Sequence, residues 1–468
     1  MYCTSESGLL TCVATPDTLY YAGSTTKAQT AACLSSLIRK GSLKGSGWDT
    51  KISAILGDDF AVQDEWATKH LTIEDAVSHR SGMSRHDRAL QRDSRNGRPL
   101  STRQVVRNMR NLPYVREPRA RFIYGNYMYI TLSLVIEKLT KKPLGRVMRE
   151  TIWKPLGMRS TYFGLREAQA WAPRYQLAMG YVWNNETKKR SQAAHMPLTD
   201  LSGAAAVISS VNDYAKWIQG LLGEEKLFPE DVHSDIRKGR TIHIANNYGA
   251  FDVSLYSLGW FRRTFKGRIY YWHDGSMIGH KSLIYWFPND KFGFVIFANG
   301  DDAASANNNI AWKIISDRFQ IPPGDVGVDG HWRAQEQTEE ERFQDAIKKY
   351  YPNHPKIPLG FDIADLQGVY WNKGYGRMRL ILEDDNKLVP GQNLLVRRPE
   401  TTWHYALRLR HVYGNQFIAG ESWLEDINSS GQFHPVTLVG GQNEVPRLVI
   451  EWWAGGLSEG NVTFTKVA

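Results

Sequence analysis

The chain has 468 residues, of which 42% are hydrophobic, 12% aromatic and 23% charged. This composition excludes an intrinsically disordered chain. The length predicts two or three domains. No apolar run approaches the roughly 18 residues that a membrane-spanning helix needs.

The net charge of +10 has one main source, the segment from Arg85 to Arg121. It carries eleven arginines against Asp87, Asp93 and Glu117. Such a segment can bind nucleic acid, but it offers no aromatic platform for bases. We therefore expect no nucleic-acid partner, and interpret the segment as a solvated helical face or as a rim that attracts an acidic substrate.

The three cysteines, Cys3, Cys12 and Cys33, all lie near the beginning of the chain. Their odd number argues against a disulfide-built secreted protein. The first residues also lack the basic and apolar regions of a signal peptide. We therefore expect a cytoplasmic protein without a membrane partner; the oligomeric state is not readable from the sequence.

Hydrophobic spacing predicts helices over Ser24–Arg39, Thr72–Ser78, Asn126–Leu139 and Ala311–Phe319. The runs 267–275 and 281–300 are rich in β-branched and aromatic residues and contain turn residues at Pro288–Asp290, which is typical of consecutive antiparallel strands. The pattern predicts an α+β fold in which helices cover an antiparallel sheet.

The composition changes beyond residue 320. A charged helix is predicted over Glu336–Tyr350, and a domain boundary lies near Pro355. Short β segments without helices follow, which indicates an all-β barrel or sandwich. The eight predicted segments are Leu366–Asn372, Met378–Asp385, Lys387–Gln392, Trp403–Val412, Gln416–Trp423, His434–Gly441, Arg447–Trp453 and Val462–Ala468.

Ser24 and Lys27 stand three residues apart where the first helix begins. This spacing places both side chains on one helix face, and the helix N-terminus favours an alkoxide there. Lysine acts as a base only when burial or a neighbouring positive charge lowers its pKa. The alternative is a helix-capping serine beside a surface lysine. Ser-x-x-Lys is the signature of serine β-lactamases and penicillin-binding proteins.

Two further motifs can complete such a site. Tyr124-Gly-Asn126 precedes an apolar helix and offers a phenol and an amide, although Asn126 can equally be the cap of that helix. His273-Asp274-Gly275 lies on a predicted strand, where glycine allows close approach of the backbone. The N–H groups of Ser24 and Ser276 can then form an oxyanion hole. The alternative for His273 is a solvated side chain in a β-turn.

With these motifs in this order, the chain resembles the class C β-lactamase-like superfamily, which includes family VIII carboxylesterases and lovastatin-type acyltransferases. The stretches "HLTIEDAVSHRSGMSRHD", "LAMGYVW" and "LSGAAAVISSVNDYAKWIQGLL" are similar to further family segments. The resemblance implies a β-lactamase/transpeptidase-like domain over residues 1–325, a helical linker over 326–358, and a lipocalin-like β domain over 359–468.

The chain departs from the lactamase pattern in two places. Where lactamases have Lys-Thr-Gly, it has His273-Asp274-Gly275, which resembles the esterase and acyltransferase branches and argues against β-lactam hydrolysis. Only 23 residues precede Ser24, whereas the family has two N-terminal strands before this point. We therefore expect those strands to be incomplete.

The expected function is a serine hydrolase that cleaves an ester, thioester or amide through an acyl-enzyme on Ser24. Lys27 and Tyr124 are expected to move protons, Asn126 to orient Lys27, and His273 to hydrogen-bond Tyr124 or the substrate. Ser24, Gly275 and Ser276 provide the oxyanion site. The alternatives are an acyltransferase using a carrier-bound acyl donor, and a catalytically decayed ligand-binding protein. No cofactor and no metal site are expected, since no metal-ligand spacing is present.

Overall fold

The computed structural model describes residues 3–4, 11–43, 45–92, 97–173, 175–184, 187–223, 227–247, 249–322, 337–383, 391–423, 431–440 and 444–467. Most of the predicted segment Lys387–Gln392 lies outside these ranges. Two domains follow one another in the chain: a helix-covered sheet and an eight-stranded barrel.

The α-helices of the described ranges are α1 (Thr26–Arg39), α2 (Ile52–Leu56), α3 (Glu65–His70), α4 (Ile73–Val77), α5 (Thr102–Asn108), α6 (Asn126–Thr140), α7 (Leu144–Met148), α8 (Leu165–Trp171), α9 (Val211–Leu222), α10 (Glu230–Arg237), α11 (Ala304–Phe319) and α12 (Glu339–Tyr350).

The strands before the barrel are β1 (Cys3–Thr4), β2 (Thr11–Cys12), β3 (Tyr20–Tyr21), β4 (Tyr162–Phe163), β5 (Gly180–Asn184), β6 (Lys189–Ala193), β7 (Val207–Ser209), β8 (Thr241–Ile244), β9 (Ser254–Tyr256), β10 (Phe261–Phe265), β11 (Arg268–Met277), β12 (His280–Phe287) and β13 (Phe292–Ala298). The barrel strands are β14 (Gly368–Asn372), β15 (Gly376–Leu382), β16 (Leu394–Arg398), β17 (Tyr405–Tyr413), β18 (Gln416–Trp423), β19 (Gln432–Val439), β20 (Arg447–Ala454) and β21 (Leu457–Lys466).

All the predicted helices are present, with shifted ends. A capping box forms at the start of α4, where Thr72 and Asp75 exchange side-chain-to-backbone hydrogen bonds. Helix α11 begins seven residues earlier than expected, at Ala304 rather than Ala311. The alternative in which Asn126 caps α6 does not hold, because Gly125 occupies the cap position.

Strands β8 to β13 form one six-stranded sheet in the order β13-β12-β11-β10-β9-β8, and the predicted antiparallel run is its β11–β12–β13 part. Alternate residues of β12 pack into two different hydrophobic cores, one on each face of the sheet. Ile284 and Trp286 join the large core built with α1 and α6. Leu283 and Tyr285 pack on the other face against α11. The fold is therefore a sheet covered by helices on both faces.

The beginning of the chain adds two small elements. Strands β1 and β2 pair with each other and not with the six-stranded sheet, in which β13 is an edge strand among the described residues. Strand β3 pairs with β7, and the Ala22 N–H donates to Val207 O at 2.9 Å. This pairing anchors the chain directly before Ser24.

The C-terminal domain is a closed antiparallel barrel, so the barrel alternative is confirmed over the sandwich. Strand β14 closes the ring on β21 through Tyr370 and Lys466. Strand β16 was missed by the sequence patterns. Helix α12 lies in the predicted linker and packs Phe343 and Ala346 against Ile418 on the outside of the barrel.

None of the helices in the described ranges is both long enough and apolar enough to cross a bilayer.

Candidate active site

Ser24 and Lys27 meet at the start of α1. Ser24 lies in a 3₁₀ turn, Gly23–Thr25, that runs into the helix, and it is partly exposed whereas Lys27 is fully buried. Lys27 Nζ lies 3.0 Å from Ser24 Oγ, 2.8 Å from Asn126 Oδ1 and 3.0 Å from Ala204 O. The pair is therefore one buried amine beside one accessible hydroxyl.

The surroundings of Lys27 favour its neutral form. Burial lowers the pKa of Lys27 well below its usual value, and the positive charge of Arg85 lowers it further, whereas Asp87 and Asp274 oppose this shift. A neutral amine has two N–H groups and one lone pair. The carbonyl oxygens of Asn126 and Ala204 accept both N–H groups, which leaves the lone pair for the Ser24 hydroxyl proton.

Tyr124 lies beside the same amine. Its ring centroid is 4.8 Å from Lys27 Nζ and 5.3 Å from the guanidinium carbon of Arg85. Burial raises the pKa of the Tyr124 phenol, and a hydrogen bond with the Ser24 side chain partly offsets this shift. The raised pKa therefore favours the protonated phenol beside an amine whose lowered pKa favours its neutral form.

Asn126 is the first residue of α6, and its side chain forms hydrogen bonds with residues outside that helix. Its Nδ2 donates to Asp87 Oδ1 at 2.9 Å, and its Oδ1 accepts from Lys27. The carboxylate fixes the orientation of the amide, because only the NH₂ end can donate to Asp87. Asn126 thus connects Lys27 to a residue that the sequence patterns did not single out.

His273 lies on β11 and is buried. Its Nδ1 lies 2.6 Å from Asp274 O and its Nε2 lies 3.3 Å from Tyr256 OH. Because a carbonyl can only accept, Nδ1 carries the proton and Nε2 accepts from Tyr256. Burial lowers the pKa of His273 to about 4. The hydrogen-bond partner is Tyr256 rather than the expected Tyr124, whose ring centroid lies 6.1 Å from that of His273.

Gly275 and Ser276 pass directly along the residues that precede Ser24. A Cβ on Gly23 would lie 2.9 Å from Ser276 N. The carbonyl of Ala22, one residue earlier, accepts from Ser282 Oγ on β12 at 2.7 Å. The six-stranded sheet therefore brings the Ser276 amide to the chain segment that carries Ser24.

The sequence interpretation missed the segment from Arg85 to Arg88. It belongs to the arginine-rich stretch interpreted as a solvated face or rim, yet Arg88 is 3% exposed and Asp87 is also buried. His79 is buried under Tyr124 with 4.4 Å between ring centroids. The alternating charges of Arg85, Asp87 and Arg88, at the end of a family-like segment, are the signal that could have identified this stretch.

The chain is similar to known proteins in sequence and in fold. The family model described as Beta-lactamase matches residues 13–316. An unguisins hydrolase of Aspergillus campestris is 35% identical over 80% of this chain and 71% of its own, and one of Aspergillus violaceofuscus is 32% identical over 86% of this chain and 74% of its own.

A solved structure, the octameric penicillin-binding protein homologue from Pyrococcus abyssi, aligns with a TM-score of 0.55 at 18% identity and covers 97% of this chain and 89% of its own. At this identity it supports the fold alone, both the helix-covered sheet and the barrel. The match to the family model and the two relatives identify a serine hydrolase: the chain belongs to the Beta-lactamase family.

Proposed function

We propose that this protein hydrolyses an ester or amide bond through an acyl-enzyme on Ser24, in the branch of the family that includes carboxylesterases and lovastatin-type acyltransferases. The observation that carries the proposal is the position of Lys27 Nζ, which lies 3.0 Å from Ser24 Oγ and donates to two carbonyl oxygens, so that a neutral Lys27 has its lone pair left for the Ser24 hydroxyl proton. The two relatives described as hydrolases of unguisins support hydrolysis as the outcome.

The proposed acylation step uses the protonation states that the site favours. Lys27 Nζ takes the proton as Ser24 Oγ bonds to the carbonyl carbon, and the amides of Ser24 and Ser276 stabilise the oxyanion. The bond to the leaving group then breaks. Tyr124 donates its proton to the leaving group and regains one from Lys27, which returns to the neutral amine.

Deacylation uses the same roles with water as the nucleophile. Lys27 takes a proton from water as the water oxygen attacks the acyl carbon, and Ser24 Oγ leaves with a proton from Tyr124, which regains one from Lys27. Replacement of water by an alcohol or amine gives the acyltransferase alternative.

His273 supports the choice of branch. A neutral imidazole, hydrogen-bonded to Tyr256, cannot supply the fixed positive charge that a lysine provides at this position in lactamases. We expect turnover of p-nitrophenyl esters and no turnover of a chromogenic cephalosporin. The assignment of the barrel as lipocalin-like belongs to the same proposal and is supported by its eight sequential, closed, antiparallel strands.

The test is covalent labelling with a fluorophosphonate, located by mass spectrometry of the labelled peptide. Wild-type protein should be labelled on Ser24 with one label per chain, and Ser24→Ala should not be labelled. Full labelling of Ser24→Ala at the same peptide would overturn the proposal. Ser35→Ala is a matched control, because Ser35 lies on α1 and bonds Asp235 away from Lys27.

Product analysis then decides between water and another acceptor. An acyl thioester and, separately, unguisins are offered with and without an acceptor alcohol. A hydrolase releases the free acid in both cases. Formation of the ester of the alcohol, without free acid, would instead assign the acyltransferase.

A further inference from the structure

The segment Arg85–Arg88 alternates between the two domains. Arg85 and Asp87 direct their side chains to the active site, and His86 and Arg88 direct theirs into the barrel. This alternation connects one short segment to the neighbours of Lys27, Tyr124 and Asn126, through its odd-numbered members and to the barrel through its even-numbered members.

Two fully buried carboxylates of the barrel, those of Glu421 and Glu459, bind Arg88. Nε and Nη2 of Arg88 donate to the two oxygens of Glu421 at 2.6 Å each, and Nη1 donates to Glu459 Oε2 at 2.9 Å. Both glutamates have no exposed surface. The Trp452 ring covers the guanidinium at 4.8 Å. A bidentate, fully enclosed ion pair of this kind defines the position of the arginine closely.

The barrel also holds His86 at two atoms, the backbone nitrogen and ring Nδ1, whereas ring Nε2 is held by Pro113 of the other domain. The backbone N–H of His86 donates to Glu459 Oε1 at 2.7 Å. The ring lies 2.7 Å from Tyr375 OH at Nδ1 and 2.8 Å from Pro113 O at Nε2, so Nε2 donates to the carbonyl and Nδ1 accepts from the phenol. The residue has a left-handed backbone with φ of 48°, a conformation that a side-chain-bearing residue adopts only when its surroundings enforce it.

The active-site half of the segment sets the geometry at Lys27. Asp87 Oδ2 accepts from Arg85 at 2.9 Å, and its Oδ1 accepts from Asn126. Asp87 thereby orients the amide whose oxygen takes one N–H of Lys27. Since His86 and Arg88 flank Asp87 on either side, the carboxylate position depends on where the barrel holds its two neighbours.

We propose that Glu421 and Glu459 of the barrel are positioning residues for the catalytic lysine: they hold His86 and Arg88 so that Asp87, between them, fixes Asn126 against Lys27. The inference rests on the proposed function of Ser24. It makes the barrel a structural component of the catalytic machinery of the other domain, rather than a separate module.

The experiment measures the rate constant and the final amount of Ser24 labelling by a fluorophosphonate. In Glu459→Gln, one of the two hydrogen bonds that the carboxylate accepts is lost. The rate constant should fall about tenfold while labelling still reaches one per folded chain. A purely structural role lowers only the final amount. An unchanged rate constant in Glu459→Gln would overturn the proposal, whereas absence of Ser24 labelling in wild-type protein would overturn the proposed function instead.

Tyr375→Phe is a milder variant that stays informative if Glu459→Gln does not fold. It removes the hydroxyl that donates to His86 Nδ1 and keeps the packing of the aromatic ring. The rate constant should fall in the same direction by a smaller factor. Tyr370→Phe is the matched control, because its equally buried hydroxyl donates to Leu366 O within the barrel, and it should leave the rate constant unchanged. Equal effects in both variants would contradict the inference.

A double-mutant cycle tests the route through Asp87. If Glu459 acts through this carboxylate, adding Glu459→Gln to Asp87→Ala should leave the labelling rate constant of Asp87→Ala unchanged. A further tenfold loss in the double variant would show that Glu459 acts independently of Asp87 and would overturn the proposed connection.

Discussion

Gly275 lies so close to Ala22 that a Cβ at position 275 would sit 2.2 Å from the Ala22 carbonyl oxygen. The same Cβ would lie 2.3 Å from Ser282 Oγ, which donates to that carbonyl. The contact joins β11 to the turn that carries Ser24. It explains in steric terms why the third motif of the site ends in glycine.

Gly275→Ala should therefore separate the strand from the turn. We expect at least a hundredfold loss in the Ser24 labelling rate, because the Ser276 amide moves away from the oxyanion position, and a loss of about 1–3 kcal/mol in the free energy of unfolding from overpacking. The measurements are labelling kinetics and denaturant unfolding. Gly360→Ala is the control, since a Cβ there meets nothing within 4 Å; equal behaviour of the two variants would contradict the steric explanation.

Lys27→Met should abolish turnover while preserving the shape of the buried side chain. The variant has no basic nitrogen to accept the Ser24 proton, so we expect kcat/KM for a p-nitrophenyl ester to fall at least a thousandfold. It also leaves the Asn126 and Ala204 oxygens without a donor, at a cost of about 1–3 kcal/mol. Lys27→Arg should be equally inactive, because a guanidinium stays charged. Retained activity in Lys27→Arg would show that Lys27 is not the base.

The pH dependence of kcat/KM should show an acidic limb set by Lys27. The amine is active when neutral, so activity rises with pH through its lowered pKa, and the raised pKa of Tyr124 keeps the phenol protonated on the alkaline side. The charged and titratable groups around Lys27 are Arg85, Asp87, Asp274, Tyr124, His79 and His273.

Arg85→Gln should move that limb to higher pH. The variant removes a positive charge that favours neutral Lys27, so the pKa of Lys27 rises. A pH–rate profile from pH 5 to 10 measures the shift. Arg80→Gln is the matched control, because Arg80 pairs with Asp75 instead. An unmoved limb in Arg85→Gln would contradict the assignment of the limb to Lys27.

The barrel should lose stability in acid because of Glu421. Its contacts with Arg88 and His434 outweigh burial and lower its pKa from 4.5 to about 2. A lowered carboxyl pKa contributes stability that is present above pH 4.5 and is lost as the pH falls towards 2. The contribution is about 3 kcal/mol. The Tm, followed by the fluorescence of tryptophans including Trp452 beside Arg88, should fall steeply in this range.

Glu421→Gln should be less stable than wild-type protein at pH 7 and should show a flatter decrease of Tm below pH 4.5. Asp317→Asn removes only an exposed ion pair with Lys313 and should follow the wild-type curve. Parallel wild-type and Glu421→Gln curves would show that another group controls acid unfolding.

Several features of the site could be predicted because they depend on local periodicity. Ser24 and Lys27 share a helix face at a spacing of three, and Gly275 lies in a run whose β-branched and aromatic residues indicate a strand. The predicted number of barrel strands, eight, agrees with the structure although the individual strands do not all match. Leu394–Arg398 was missed, and most of the predicted Lys387–Gln392 lies outside the described residues. The alternative interpretation of Asn126 as a helix cap does not hold. Gly125 is at the cap position, and the side-chain amide of Asn126 bonds Lys27 and Asp87 instead.

The sequence by itself determined the catalytic candidates and the type of each domain, because hydrophobic period, turn residues and motif order are properties of neighbouring residues. Only the tertiary structure decided which charges are buried and what they contact. Arg88 belongs to a stretch that looks solvated by composition, yet two glutamates more than three hundred residues away enclose it. The free energy of a buried charge depends on partners brought together by the fold, and that information is absent from local sequence.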